Sequence, residues 1–216
     1  MTIIMYDVKH RTEIDMKVSR EQVAANRQTI LDAAGHLFRA QGFEKVTVAD
    51  VMKAAGLTHG GFYGYFKSKD DLIAQTLAHV FAQGPVEIDL ARYAESYLSQ
   101  RQYQNVAGGC PMAALGSEAS RQTPEARAAM TKGLRQNIER LSRNAAGKTA
   151  AEKRRAAIGS LSAMVGAMIM ARFSDDPKLS EELLAQTRAW IAGAATSRGP
   201  ARVVSRKSPR SGFCNT

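Results

Sequence analysis

The chain has 216 residues, of which 44% are hydrophobic and 23% charged, enough for one large domain or two small ones and too near the globular average for a fibrous or largely disordered protein. Its net charge of +10 is uneven, 0 over residues 1–22, +1 over 23–83, +4 over 84–196 and +5 over 197–216, so a polyanionic partner is signalled by the tail more than by the body. Cys110 and Cys214 are too few for a disulfide framework and their spacing suits no metal site; with no run of about 18 apolar residues and no secretion signal, a cytoplasmic protein without metal, cofactor or membrane partner is expected.

Residues 1–22 show no clear pattern and read as a poorly ordered arm. From Ala24 to Gln41 apolar residues recur at Ile30, Ala33, Ala34, Leu37 and Phe38, a helical stripe closed by Gly42. Thr47 is placed to cap a short helix through Val48, Val51 and Met52, and Ala55-Gly56-Leu57 forms a turn before a second possible cap at Thr58. A short aromatic segment reaches Phe66, and Ser68 with Lys69-Asp70-Asp71 opens a longer helix to about Gln83. Gly84-Pro85 makes a domain boundary, because proline cannot continue a helix without losing a hydrogen bond.

Beyond it, helices are expected at about 86–103, 111–121, 124–145, 150–173 and 178–195, separated by Gly108-Gly109, Thr123-Pro124, the capping box Thr149 to Glu152, and Asp176-Pro177. No segment shows strand alternation with hairpin turns, so the fold class is all-α. Residues 197–216 carry five cations among Ser, Gly and Pro and read as a disordered basic tail.

The run Arg27 to Ala34, then Leu37-Phe38, Gln41-Gly42-Phe43, Thr47 to Val51, Ala54 to Thr58 and Phe62 to Leu72 resembles the amino-terminal domain of TetR/AcrR transcriptional regulators over about 50 residues without a gap. The resemblance implies a three-helix helix-turn-helix DNA-binding domain at 23–83 and a helical effector-binding and dimerisation domain at 84–196. In a helix-turn-helix the second helix enters the major groove. Here that is Thr58 to Tyr65, where Thr58 and His59 would meet base edges and Gly60 and Gly61 would allow close backbone approach. Tyr63, Tyr65 and Lys69 correspond to the family's phosphate clamp, and Thr47 caps a helix whose free N–H groups can face phosphate. Phe62 and Phe66, four apart, read as core.

In such regulators two helices of each subunit form the dimer. The candidates here are the last two, with stripes through Leu161, Val165 and Met168 and through Leu184, Thr187, Trp190 and Ile191, although such stripes could also close the chain's own core. Met112, Leu115, Met130, Leu134 and Met164 fall on helices that line the family's effector pocket, yet such residues are more often plain core. Cys110, in Gly109-Cys110-Pro111, stands at a helix start, where the dipole favours thiolate; it is a candidate electrophile sensor or a small buried hydrophobe.

No P-loop or nucleophile with its base is present, so an enzyme is not expected. The expected function is a homodimeric repressor released from a palindromic double-stranded DNA operator by a small-molecule or electrophilic effector. The alternative is a constitutive, weakly specific DNA-binding protein without an effector.

Overall fold

The first helix runs far longer than the sequence pattern implied. In the computed structural model, which describes residues 4–84 and 89–196, α1 spans Ile4–Gln41, whereas a helix from Ala24 preceded by an arm was expected. The backbone reason is simple: no glycine or proline occurs before Gly35, so nothing stops the helix on its amino-terminal side. Gly42, at φ 85°, ends it and donates to the Phe38 carbonyl at 2.8 Å.

α2 (Val48–Ala54) begins at a capping box in which Thr47 accepts from the Asp50 amide and Asp50 accepts from the Thr47 backbone. Gly56, at φ 71°, ends α2 with its own N–H on the Lys53 carbonyl and the Leu57 N–H on that of Met52, a turn that a β-carbon would strain. The next segment, His59–Gly64, is a 3₁₀ turn rather than the α-helix expected over Thr58 to Tyr65. Three of its six residues are glycine, each costing about 1 kcal/mol against alanine in an α-helix. Thr58 precedes it in extended conformation and makes no side-chain capping bond, against expectation. α3 (Lys69–Ala82) starts at Ser68, whose hydroxyl accepts from the Asp71 amide.

The helix expected over 86–103 is two helices, α4 (Leu90–Tyr97) and α5 (Gln100–Gln104), because Ser99 caps a new start by accepting from the Gln102 amide. There follow α6 (Pro111–Ala119), α7 (Pro124–Arg143), α8 (Ala150–Phe173) and α9 (Pro177–Thr196). All regular structure among the described residues is helical. The tail from 197, with Cys214, and Pro85 of the expected boundary lie outside the described residues.

Two cores hold the helices. The first joins Ile30, Phe38, Phe43, Met52, Phe62, Phe66, Leu72 and Leu77 with Leu115, Ala119 and Ala126, so α6 and α7 close the helix-turn-helix from behind. Phe62 and Phe66 stack within it as the spacing predicted, at 1% and 2% exposure. Burying each such ring is worth about 1.5–3 kcal/mol. The second core joins α4, α7, α8 and α9 through Leu98, Leu141, Leu161, Met164, Met168 and Ile191. α3 and α7 approach closely at Gly133, where a β-carbon would fall inside the Phe81 ring.

α8 is long and apolar enough, by length and composition, to cross a membrane, which the absence of an unbroken apolar run had argued against. Its alanines, methionines and glycines raise the mean hydropathy while polar Ser160 and Ser162 interrupt the run. Its buried face, Leu161, Met164 and Met168, belongs to the second core.

Candidate nucleic-acid interface and effector cavity

The 3₁₀ turn is anchored from below by Phe62 and presents its other side to solvent. Tyr63 is 75% exposed, Thr58 and His59 are exposed, and a β-carbon at Gly60 would meet nothing, so the backbone there is open to a close partner. The Tyr63 ring stands edge-on against Phe62 at 5.2 Å, which fixes its direction without burying the hydroxyl.

The other expected contact residues are more committed. The Tyr65 hydroxyl accepts from the Asn26 amide of α1 at 3.0 Å, leaving its own proton to give. Lys69 donates to the Glu44 carbonyl at 3.3 Å, which holds the ammonium near the turn between α1 and α2 with donors to spare. The Thr47 hydroxyl donates to Asp50 at 2.6 Å and is consumed by its capping box, so its side chain has less to offer an incoming phosphate than expected. Sequence reasoning missed the support from α1. Arg27 lies 5.3 Å over the Phe66 ring, and with Asn26 it braces the aromatic segment. A basic residue just before the apolar stripe was visible, but its partner 39 residues on was not.

Behind this surface, α6 connects the two cores. Its Glu118 carboxylate accepts from the Phe43 amide at 2.8 Å, and a β-carbon at Gly42 would meet the same carboxylate at 2.6 Å. Cys110 stands at the other end of α6, in its N-cap position and half-buried. One helix thus runs from the turn of the reading domain to a cavity.

That cavity, of about 310 Å³, lies among Arg39, Phe81, Tyr93, Tyr97, Cys110 and Arg140, with further residues of α3, α4 and α7. Tyr93 and Tyr97, four apart on α4, tilt together at 5.6 Å between centroids. Burial first, then the Cys110 sulfur beside them, push both phenols well above the ordinary range, so both are neutral donors. The Tyr97 hydroxyl is buried with the Cys110 thiol beside it and no nitrogen or oxygen partner. Arg39 gives its Nε to the Ala107 carbonyl at 2.6 Å, and burial lowers its affinity for the proton. Among the described residues Arg140 makes one long bond, 3.5 Å, to the Phe81 carbonyl.

Of the six residues expected at an effector pocket, Cys110 alone lines this cavity. Leu115 and Met130 pack with the reading domain, Met164 is fully buried in the second core, Met112 packs against that core, and Leu134 is 40% exposed. Apolar side chains at helical spacing closed the cores, and the cavity was left to aromatic and polar ones. Arginines 39 and 140 were missed because nothing local marks two cations 101 residues apart; the Tyr93/Tyr97 pair was the available signal.

The dimer candidates divide in the same way. Leu161, Met168, Leu184 and Ile191 are buried in the chain's own second core, a correction to their expected place between subunits. Val165 and Thr187 are half-buried, and Trp190 is 58% exposed. Ile158, Ile169, Phe173 and Leu179 are also exposed on α8 and α9, and β-carbons at Gly159 and Gly166 would meet nothing. The open apolar face is therefore one step around each helix from the predicted stripe.

Among the described residues, a capped helix, a glycine turn and an exposed aromatic segment backed by further helices make the arrangement of a helix-turn-helix domain. Residues 30–76 match the family model of bacterial regulatory proteins, tetR family. Among curated relatives, the transcriptional regulator AcrR of Shigella flexneri is 39% identical over 57 residues, 26% of each chain. The transcriptional repressor KstR2 of Mycolicibacterium smegmatis is 34% identical over 56 residues, 26% of this chain and 27% of the relative. The matched region thus spans about a quarter of these relatives' length. Over the whole fold, the reduced form of E. coli NemR superposes with a TM-score of 0.62 at 22% identity, covering 78% of this chain and 96% of NemR. A TetR-family regulator from Cytophaga hutchinsonii gives 0.64 at 17% identity, covering 82% and 98%. These likenesses establish the fold.

Proposed function

We propose that this protein is a homodimeric transcriptional regulator, a repressor rather than an enzyme, that binds a palindromic DNA operator and is released by a small molecule or electrophile. On this reading residues 23–83 read DNA in the cytoplasm and 84–196 bind the effector and the second subunit. The observation that carries it is the exposed segment from Thr58 to Tyr63, fixed on Phe62 inside a tetR-type domain. Thr58, His59, Gly60 and Gly61 face base edges, while Tyr63, Tyr65 and Lys69, with the start of α2 after Thr47, hold phosphates. Dimerisation is supported by the open apolar face of α8 and α9 around Trp190 and Phe173.

Electrophile sensing rests on Cys110, whose thiol lies on the cavity wall at the head of α6, while Glu118 on the same helix holds the turn after α1. An adduct that shifts α6 would move the reading head, and differential strain of a few kcal/mol suffices to change occupancy. The test is operator gel shift before and after treatment with an alkylating quinone, in wild type and Cys110→Ser. Release in wild type and retention in Cys110→Ser support a covalent sensor. Indifference of both assigns release to a non-covalent ligand, and absence of operator binding in untreated protein contradicts the reading as a whole.

A further inference from the structure

We propose that the cavity behind Cys110 is a binding site for a small organic anion with a single aromatic ring, an aromatic carboxylate being the simplest member of the class. The assignment rests on the regulator reading above and deepens it by naming the chemistry of the effector.

Three observations converge. The first is charge: among the described lining residues there are two arginines, Arg39 and Arg140, and no carboxylate. Both guanidiniums are only partly used, Arg39 through Nε and Arg140 through one long bond to a carbonyl. An arginine keeps its charge under any physiological condition, and its planar fork matches a carboxylate. Two such groups line the same cavity, and none of its described lining residues is an acid.

The second is the Tyr97 hydroxyl. Tyr97 is 4% exposed and its oxygen has no nitrogen or oxygen partner, only the weakly bonding Cys110 thiol beside it, although a buried polar group so poorly paired costs free energy that folding normally avoids. Its phenol is held neutral by burial, so it has a proton to donate, and an anionic oxygen is the acceptor that would use it. An anionic ligand oxygen would give the hydroxyl the strong acceptor that the empty protein does not supply.

The third is shape. The rings of Phe81, Tyr93 and Tyr97 line the same space, giving an apolar body something to stack on. At about 310 Å³ the cavity stands at the low end of small-ligand pockets, which run from about 300 to 1,000 Å³. One ring with its carboxylate fits such a volume; a sterol or a fused polycyclic compound does not. The larger hollow of about 550 Å³, between the end of α1 and α6, is a poorer candidate for an anion because the Glu118 carboxylate lines it; Arg172 there bonds the Gln102 and Tyr103 carbonyls and keeps one amine unpaired.

The experiment is calorimetric titration of the full chain with benzoate and with its neutral isostere benzamide, in wild type, Tyr97→Phe and Arg140→Gln. Benzoate should bind wild type at least tenfold more tightly than benzamide. Tyr97→Phe should lose about tenfold in benzoate affinity while its melting temperature without ligand is unchanged or higher, since only a poorly paired hydroxyl is removed. Arg140→Gln should lose a similar factor for benzoate and nothing for benzamide. Equal binding of the two compounds, no binding of benzoate, or full benzoate affinity in Tyr97→Phe would each overturn the assignment. Operator gel shifts without ligand separate the two levels. Retained operator binding alongside a failed titration refutes the anion site and leaves the regulator reading standing, whereas lost operator binding in wild type refutes the latter and leaves calorimetry to decide the cavity.

Discussion

Tyr63 and His59, four residues apart in the same 3₁₀ turn, are suited to different contacts. Tyr63 is held outward by its edge-on contact with Phe62, and a hydroxyl so placed can position a backbone phosphate without sensing the base beside it. His59, exposed at the head of the 3₁₀ turn, has a ring whose nitrogens can read a base edge. Tyr63→Phe and Lys69→Ala should therefore weaken binding to operator and random DNA by similar factors, and His59→Ala should relax preference at one position of each half-site. Binding assays on a set of single-base operator variants check this, and equal losses on all sequences for the three variants would remove His59 from base reading. Tyr65→Phe tests something different: without its hydroxyl the Asn26 amide loses its acceptor, and stability in urea should fall by about 0.5–1.5 kcal/mol.

At the scale of elements, α6 is the mechanical link, because its two ends touch the cavity and the turn after α1. Glu118→Ala leaves the Phe43 amide without its acceptor and should cost about 1–3 kcal/mol in urea denaturation, with Glu118→Gln restoring most of it through its carbonyl oxygen. Operator affinity without effector should survive in both, since neither touches the reading segment, whereas effector-induced release should weaken in Glu118→Ala. Full release in Glu118→Ala would mean that the signal travels by another contact. Helix boundaries set by local chemistry were legible in the sequence: Gly42, Gly56, Ser68 and the Thr149 capping box all act where they were expected. The break between α4 and α5 was not, because Ser99 is an ordinary residue until its hydroxyl takes the Gln102 amide. Nor was the cavity, since Arg39, Tyr97 and Arg140 meet only when α1, α4 and α7 have packed. The apolar stripes of α8 and α9 were legible as stripes, but whether a stripe closes the chain's own core or faces a partner depends on a rotation that periodicity does not contain.

The whole molecule carries two further expectations. Asp32 is held below its ordinary value of 3.8 chiefly by a hydrogen bond with His79, 2.7 Å away, and Asp71 chiefly by the Lys67 amide; Asp50, also lowered from 3.8, is held by Thr47. Each folded-state pKa is depressed, so the stabilisation is complete above the unfolded value and is lost as pH falls through the folded one. All three lie in the reading domain. Urea midpoints should thus be flat from neutral pH to about 5 and fall below about 4, and Asp50→Asn should flatten that fall. A decline beginning above about pH 5 would point to other groups. Trp190, the single tryptophan and 58% exposed, should report assembly: sedimentation of wild type should give a dimer with shielded fluorescence, and Trp190→Arg a folded monomer with reduced operator affinity. A wild-type monomer at micromolar concentration would refute the shared face of α8 and α9.

On the proposed function, a dimer of this protein recognises one specific DNA sequence. Nuclease protection of the region upstream of its own coding sequence, at physiological salt, tests this most directly. One short protected palindrome is expected, with half-sites about one helical turn apart. Protection spread along the fragment without sequence preference, strongly weakened by added salt, would contradict it and leave a non-specific DNA-binding protein that uses its basic charge alone.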